Sequence, residues 1–370
     1  MNDGKKLLDE ALMIAHDALD EMGGAEAVML GIVKQFPRAQ FVTAGSRASS
    51  TVGDAALTPR IKLLGDSVQN PYFRLPTYVM RFALHGLLRS SPEIVLVSGL
   101  AAPALSLRKR QSKFVMYCHH VPRFAHDLHD YWRGSLPIYL RPFFGLFCIL
   151  TRYYFSFVAR RMDKVVANSL ATADDLERYY GVSAEIIHPP TNVEFFESLQ
   201  SQGYFLSTAR HEPYKRVDEI VAAFLMTAEK NLIVTSHGSQ TRQLMEMAAG
   251  AKNITFTGRV TDEELRALLS RCTATIYVPM REDFGLSVVE SLASGKPVIT
   301  VADGGPKELV EDGKTAIFLT PDNLRDSLVH SISAYTTDWF AARKEACIEA
   351  ARPYAADQFY SQLESVLMDW

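Results

Sequence analysis

Apolar residues in this chain come mostly in short runs, and stretches with helical spacing lie between them. The run 11–19 reads as a central parallel strand and 273–279 as a buried one, and 41–45, 94–97, 113–117, 164–167, 204–207, 231–235 and 253–258 read as further strands. Helices are expected through Val28, Leu30, Ile32 and Val33, over 76–88, from Val217 onward, and through Leu286, Val289 and Ala293, where Gly295 and Pro297 stop the last of them. Residues 339–370 carry a helical pattern interrupted at Pro353. Strand and helix in alternation predict parallel sheets covered by helices, an α/β fold.

Length refines this, because 370 residues exceed what one core usually supports. Two domains are expected, residues 1–198 and 199–350, with Pro189 and Pro190 in the linker region and 351–370 as a closing helix. At 48% apolar and 22% charged residues the composition is that of a soluble protein. Four cysteines without a C-x-x-C pair argue against a disulfide framework or a zinc site and fit a reducing, cytoplasmic compartment. The first apolar run is broken by His16 and Asp17 and has no small-residue cleavage site, so no signal peptide is expected. The uncharged run 142–151 is too short to span a bilayer of about 30 Å.

Net charge is −3, but it is unevenly spread. Residues 60–161 hold 15 basic and 4 acidic side chains, and 131–157 hold ten aromatics. An anionic membrane surface would attract such a block, whereas a solvated face over an aromatic core would explain it without a partner. No nucleic-acid-binding motif accompanies it, so nucleic acid is not expected as a partner.

Candidate chemistry concentrates in 281–319. A strand ends there, Gly285 permits a tight turn, and a helix follows whose first free N–H groups suit an anion. Glu282 lies in the loop, and Glu290 falls about 60° from the apolar stripe of the helix. A carboxylate so placed needs donors, either a Lys or Arg or the hydroxyls of a ribose or hexose. Upstream, Arg210 and Lys215 stand between a strand end and a helix start, where they suit a diphosphate or surface pairs with Glu212 or Asp218. Gly23-Gly24 follows the first strand as a tight turn or a phosphate loop. His119 follows another strand, as a core residue or a ligand contact. His126 and His129 are expected on a solvated face. There is no G-x-G-x-x-G and no Asp-x-Asp.

The string Glu282-x-Phe284-Gly285-x-x-x-x-Glu290, then Gly295-x-Pro297 and Gly304-Gly305-x-x-Glu308-x-Val310-x-x-Gly313, resembles the nucleotide-binding signature of retaining glycosyltransferases of family 4. His16-Asp17 with Gly23-Gly24-Ala25-Glu26, the word YCHHVPRF around His119, Asn168-Ser169, and PYKRVD around Lys215 are similar to other words of that family, so the likeness runs over nearly the whole chain. It implies two doubly wound Rossmann-like domains facing across a cleft, the GT-B architecture, with the last helix crossing back to the first domain. It also implies transfer of a hexose from a nucleotide sugar to a hydroxyl, with retention and without a metal or other cofactor.

The roles implied by the resemblance are donor contacts from Gly23, Gly24, Phe284, Gly285, Leu286 and Ser287, diphosphate binding by Arg210 and Lys215, and the nucleobase near Arg259 and Val260. Glu282 is assigned to the hexose, Glu290 to the ribose and His119 to the sugar. The combination of words looks most like mannosyltransferases that use GDP-mannose in cell-surface polysaccharide assembly, with a glycan or lipid-linked acceptor. A UDP-hexose donor, or a catalytically silent scaffold of the same fold, are the alternatives.

Overall fold

The computed structural model describes residues 3–20, 23–46, 61–85, 92–108 and 111–370. Most of the Ser/Thr-rich patch after Gly45 and the cations Arg60, Arg89, Lys109 and Arg110 of the basic block lie outside the described residues. The chain forms two compact units, one holding the chain up to His188 together with Tyr360–Trp370, the other Pro189–Phe359. This division falls before residue 198 because Thr191 is already tied to the second unit. Its N–H donates to the Tyr354 carbonyl at 2.9 Å, and it bridges to Ala355. The chain returns at Tyr360, inside the helix Ala356–Met368.

The first unit is built on β1 (Leu12–His16), β2 (Gln40–Thr43), β3 (Ile61–Leu63), β4 (Ile94–Ser98), β5 (Lys113–Cys118), β6 (Lys164–Ala167) and β7 (Glu185–Ile186). They form one parallel sheet in the order β3-β2-β1-β4-β5-β6-β7. The second unit has β8 (Tyr204–Ser207), β9 (Asn231–Thr235), β10 (Ile254–Gly258), β11 (Thr275–Tyr277), β12 (Val298–Val301) and β13 (Ala316–Leu319). Its order, β10-β9-β8-β11-β12-β13, repeats the first, again all parallel. Both units are therefore doubly wound, Rossmann-like sheets.

Burial explains the sequence pattern. Inner strands β1, β4 and β12 are buried along their whole length, as helices on both faces require. The edge strand β10 alternates between buried and exposed positions instead. In each sheet the strand order reverses direction between two central neighbours, β1 and β4 in the first unit, β8 and β11 in the second. The carboxyl ends flanking such a reversal are where ligands collect in open α/β sheets.

One helix starts earlier than its pattern suggests. The sequence places the start near Pro76, but the helix runs Pro71–His85 with Pro76 inside it. The Asn70 side chain accepts from the Tyr72 N–H at 3.0 Å, so the first turn is capped upstream of Pro71.

Candidate functional site

In the second unit the β8 loop carries Arg210 and Lys215 to the reversal point, and the β11 loop carries Glu282. The two loops are laced together. Met280 donates its N–H to the Tyr214 carbonyl at 2.7 Å, while Arg216 reaches across to the carbonyls of Val278 at 2.7 Å and Pro279 at 2.6 Å. Arg216 sits at φ 53°, a left-handed value unusual for a non-glycine residue, and this turns the chain from the short 3-10 turn Pro213–Lys215 into the helix Val217–Met226.

Lys215 is buried, and its ammonium pairs with the Glu282 carboxylate rather than with Asp218 or Glu212. Tyr277, the last residue of β11, completes the group. Its hydroxyl donates to Glu282 Oε2 at 2.7 Å and accepts from Lys215 Nζ at 3.0 Å. Burial, then the Glu282 charge, pushes the Tyr277 phenol well above its usual range, so it stays a donor. An ammonium has three N–H donors, and two are used here, which leaves one for an incoming anion. Arg210 is exposed on the same loop and, among the described residues, makes a single long contact of 3.5 Å to the Tyr214 hydroxyl.

Glu282 is held by backbone as well. Gly305 donates its N–H to the Glu282 carbonyl at 2.7 Å, and a Cβ on Gly304 would overlap the Glu282 backbone, as one on Gly305 would overlap Phe284. The paired glycines of the motif are there because two loops touch main chain to main chain. Gly285, at φ 107°, then starts the helix Leu286–Ala293. The N–H groups of Leu286 and Ser287 precede the helix's first internal bonds, made by Val288 and Val289 to the Gly285 carbonyl, so they remain available to a ligand.

Glu290 is half-buried on that helix, and its carboxylate makes no hydrogen bond or ion pair with the described residues. Burial, reinforced by the Asp262 carboxylate, pushes its carboxyl up to about 7. Phe284 does not join the polar group, since its ring is buried against Tyr354, centroids 5.8 Å apart. Arg259 is exposed and Val260 half-buried just past the end of β10.

In the first unit the reversal between β1 and β4 gathers a second polar group. Asp17 accepts the N–H groups of Leu100, Ala101 and Ala102 at 2.7, 2.8 and 2.8 Å, stapling the loops after β1 and β4. Burial pushes its carboxyl up, against the opposing pull of His16 and these donors. His16 Nδ1 lies 3.2 Å from the Ser98 hydroxyl, and its Nε2 lies 3.7 Å from Glu26. Glu26 in turn reaches back to the Gly23 N–H at 3.1 Å and fixes the turn into the helix Gly24–Gln35. Burial works against the Glu26 carboxylate, but His16 and the backbone donors outweigh it and leave its pKa below the usual range.

His119 is buried nearby, its ring 6.4 Å from that of His16 and 4.9 Å from that of Tyr117. Burial first, then the charges of His16 and His120, holds it well below the usual imidazole value, so it is neutral at pH 7. Its Nε2 is buried without a hydrogen-bond partner among the described residues. His126 is not on a solvated face as expected. It stacks on Tyr179 at 4.0 Å, bonds the Tyr180 hydroxyl at 2.6 Å, and is lowered to about 4 by burial and then by Arg152. His129 bonds Asp130 and stacks on Phe144.

Within the second unit the structure thus brings Lys215 and Glu282 together, with Arg210 on the β8 loop, Gly285 at the turn after Glu282, and Leu286 and Ser287 in the first turn of the helix that follows. In the first unit His119 lies beside His16, which faces the Glu26 that holds the Gly23-Gly24 turn. Tyr277, Arg216, His16, Asp17 and Glu26 were missed as site-builders. His16, Asp17 and Glu26 stood inside words already noted, whereas Tyr277 carried no signal beyond a phenol at a strand's carboxyl end. Among the described residues no group of three or more His, Cys, Asp and Glu side chains is placed to hold a metal ion.

Residues 22–195 match the model of Glycosyltransferase Family 4, and residues 191–353 match that of Glycosyl transferases group 1. The chain is 25% identical over 197 residues to the O-antigen chain mannosyltransferase RfbU of Salmonella typhimurium, covering 50% of this chain and 55% of that protein. It is 22% identical over 255 residues to human alpha-1,3/1,6-mannosyltransferase ALG2, covering 60% and 59%. The chain spans about half the length of the curated relatives it matches. Its fold is shared with Anabaena Alr3699/HepE, solved in complex with UDP and glucose, at a TM-score of 0.74 and 16% identity over 96% of this chain and 99% of that one.

Proposed function

The chain belongs to the glycosyltransferases that join a Family 4 domain to a group 1 domain, and from that premise we propose that it transfers a hexose from a nucleotide sugar to a hydroxyl of a glycan or lipid-linked acceptor. The observation that carries the reading is the Lys215–Tyr277–Glu282 group at the reversal point of the second sheet, with Glu290, which has no partner among the described residues, on the helix that follows.

In this reading Arg210, the remaining N–H of Lys215 and the amides of Leu286 and Ser287 take up the charge that grows on the leaving diphosphate. No metal or other cofactor is assigned a step. Glu282, paired with its lysine, accepts from hexose hydroxyls, and Glu290 accepts from the ribose. Arg259 and Val260 border the base. In the first domain the neutral His119 offers its unused Nε2 to a sugar hydroxyl, and the Gly24 amide opens a helix toward phosphate. No side chain is assigned as a covalent nucleophile, so retention is assigned to front-face attack with the departing phosphate as base, not to double displacement.

The donor proposed is GDP-mannose, in line with the mannosyltransferases among the relatives. UDP-glucose is the second reading, favoured by the complexes of Anabaena HepE. The enzyme is proposed to work at the cytoplasmic face of an anionic membrane. Thermal-shift measurement against a panel of nucleotide sugars tests the donor, since a ligand that binds the native state raises its melting temperature. Stabilisation by GDP-mannose and not UDP-glucose, followed by slow donor hydrolysis, is the expected result. No response to any nucleotide sugar would leave a silent scaffold.

A further inference from the structure

The aromatic segment of the first unit belongs to its core on one side only. The helix Arg141–Ala159 buries Cys148, Thr151, Phe155 and Val158 and turns a second apolar row outward. Phe143, Leu146, Leu150, Tyr153 and Phe157 recur every three or four residues, so they share one face about 21 Å long, and 53 to 75% of each is exposed. Ile138 and Tyr139 extend the row at its start. A shorter exposed row, Phe73, Met80 and Leu84, stands on the helix Pro71–His85, and both helices pack against the same 3-10 helix, Ala102–Arg108. Continuous apolar surface on this scale marks an interaction site.

We propose that the outer face of Arg141–Ala159 lies in the interfacial layer of an anionic bilayer, its apolar row inserted among the acyl chains. This rests on the membrane-side reading above and replaces a purely electrostatic attachment with an inserted one.

Charge selects the occupant. From residue 131 to 162 there are five arginines and no acidic residue, and the helix Pro71–His85 has two arginines and no acid. A second copy of this chain would bring like charge against like, whereas anionic headgroups complement it. The helix lies on the bilayer and does not cross it. Its inner face is committed to the fold, with Phe155 against Tyr180 at 4.9 Å and the Tyr154 hydroxyl bonded to the Ala101 carbonyl at 3.3 Å. Two tyrosines, Tyr139 and Tyr153, combine apolar rings with polar tips, as suits the headgroup boundary.

The test is flotation of the full chain with phosphatidylcholine vesicles, with and without phosphatidylglycerol. The wild type should float with the anionic vesicles and be only partly released by salt, because insertion is not screened. The triple variant Phe143→Ser, Leu150→Ser, Phe157→Ser should lose at least about tenfold of that binding, with donor hydrolysis unchanged. Separately, indole emission from the Tyr153→Trp variant should shift to the blue on vesicle addition and be quenched by brominated acyl chains. A triple variant that floats like the wild type, or a Tyr153→Trp variant whose emission is indifferent to vesicles, would overturn the proposal. So would a dimer that the triple variant disperses in the absence of any flotation. If flotation responds as expected while no nucleotide sugar is bound or hydrolysed, the proposed function fails and this surface stands.

Discussion

Replacing Glu290 by glutamine should make the protein more stable and a poorer binder of nucleotide at the same time. Glu290 is half-buried without a partner among the described residues, and its carboxyl is raised from 4.5 to about 7, chiefly by burial. As pH climbs, the unfolded chain gives up this proton first while the native state still holds it. Native stability therefore falls between pH 4.5 and about 7 and is flat beyond. At roughly 1.4 kcal/mol per pH unit the loss approaches about 3 kcal/mol above pH 7. Glu290→Gln never ionises, so its gain over wild type should be near zero at pH 4.5 and grow to about 3 kcal/mol on the alkaline side of 7.

Urea titrations at a series of pH values measure this directly. Isothermal titration with GDP at alkaline pH should show affinity falling about tenfold to a hundredfold, the scale of a lost charged acceptor. Wild-type affinity should itself weaken as pH drops below 7, since protonation competes with the ribose hydroxyls. A variant no more stable than wild type on the alkaline side, or equally stabilised at both ends, would refute the burial argument. Unchanged GDP affinity would refute the ribose role.

Arg210→Ala and Lys215→Ala should each cut turnover by roughly 100-fold, and activity within a few-fold of wild type in both would remove them from the site. Lys215→Ala should also cost on the order of 3 kcal/mol of stability, because it leaves the Glu282 carboxylate without its cation; chemical denaturation reads this. Tyr277→Phe, which deletes one donor to Glu282 and keeps the ring, should lower turnover with Glu282 and leave GDP affinity unaltered; a matching loss of affinity would place the tyrosine elsewhere in the mechanism. Transfer should survive EDTA, and a metal requirement in the chemical step would overturn the donor model.

Much of the architecture was legible because inner parallel strands must be apolar throughout, and runs such as 94–97 and 204–207 announce themselves. The motif around Glu282 was legible for a related reason, since its glycines answer a main-chain contact that no other residue allows. The bond between Lys215 and Glu282 was not. It joins positions 67 residues apart that only the adjacency of β8 and β11 brings together. Tyr277 was equally hidden, because a tyrosine ending a buried strand reads like any core aromatic. On the helix Arg141–Ala159 the pattern is ambiguous in principle. Its inner row, Cys148, Thr151, Phe155 and Val158, and its outer row, Phe143, Leu146, Leu150, Tyr153 and Phe157, are both free of charge, so periodicity alone does not say which faces in.

The late return of the chain to its first unit sets a schedule for synthesis. Tyr360 reaches Gly31, Glu364 bonds Gln35 at 3.2 Å, and Lys164 bonds the Val366 carbonyl at 3.1 Å, so the opening unit is finished only by Tyr360–Trp370. Between His188 and Tyr360 lie 171 residues, which a ribosome takes roughly ten to thirty seconds to add. Through that interval the emerging sheet has every strand it needs but lacks the helix that buries Leu363 and Leu367. A chaperone that binds exposed apolar surface would find its substrate in this half-made protein, on the side of Gly24–Gln35 that awaits Tyr360, and a stop codon anywhere in the second unit would damage the first.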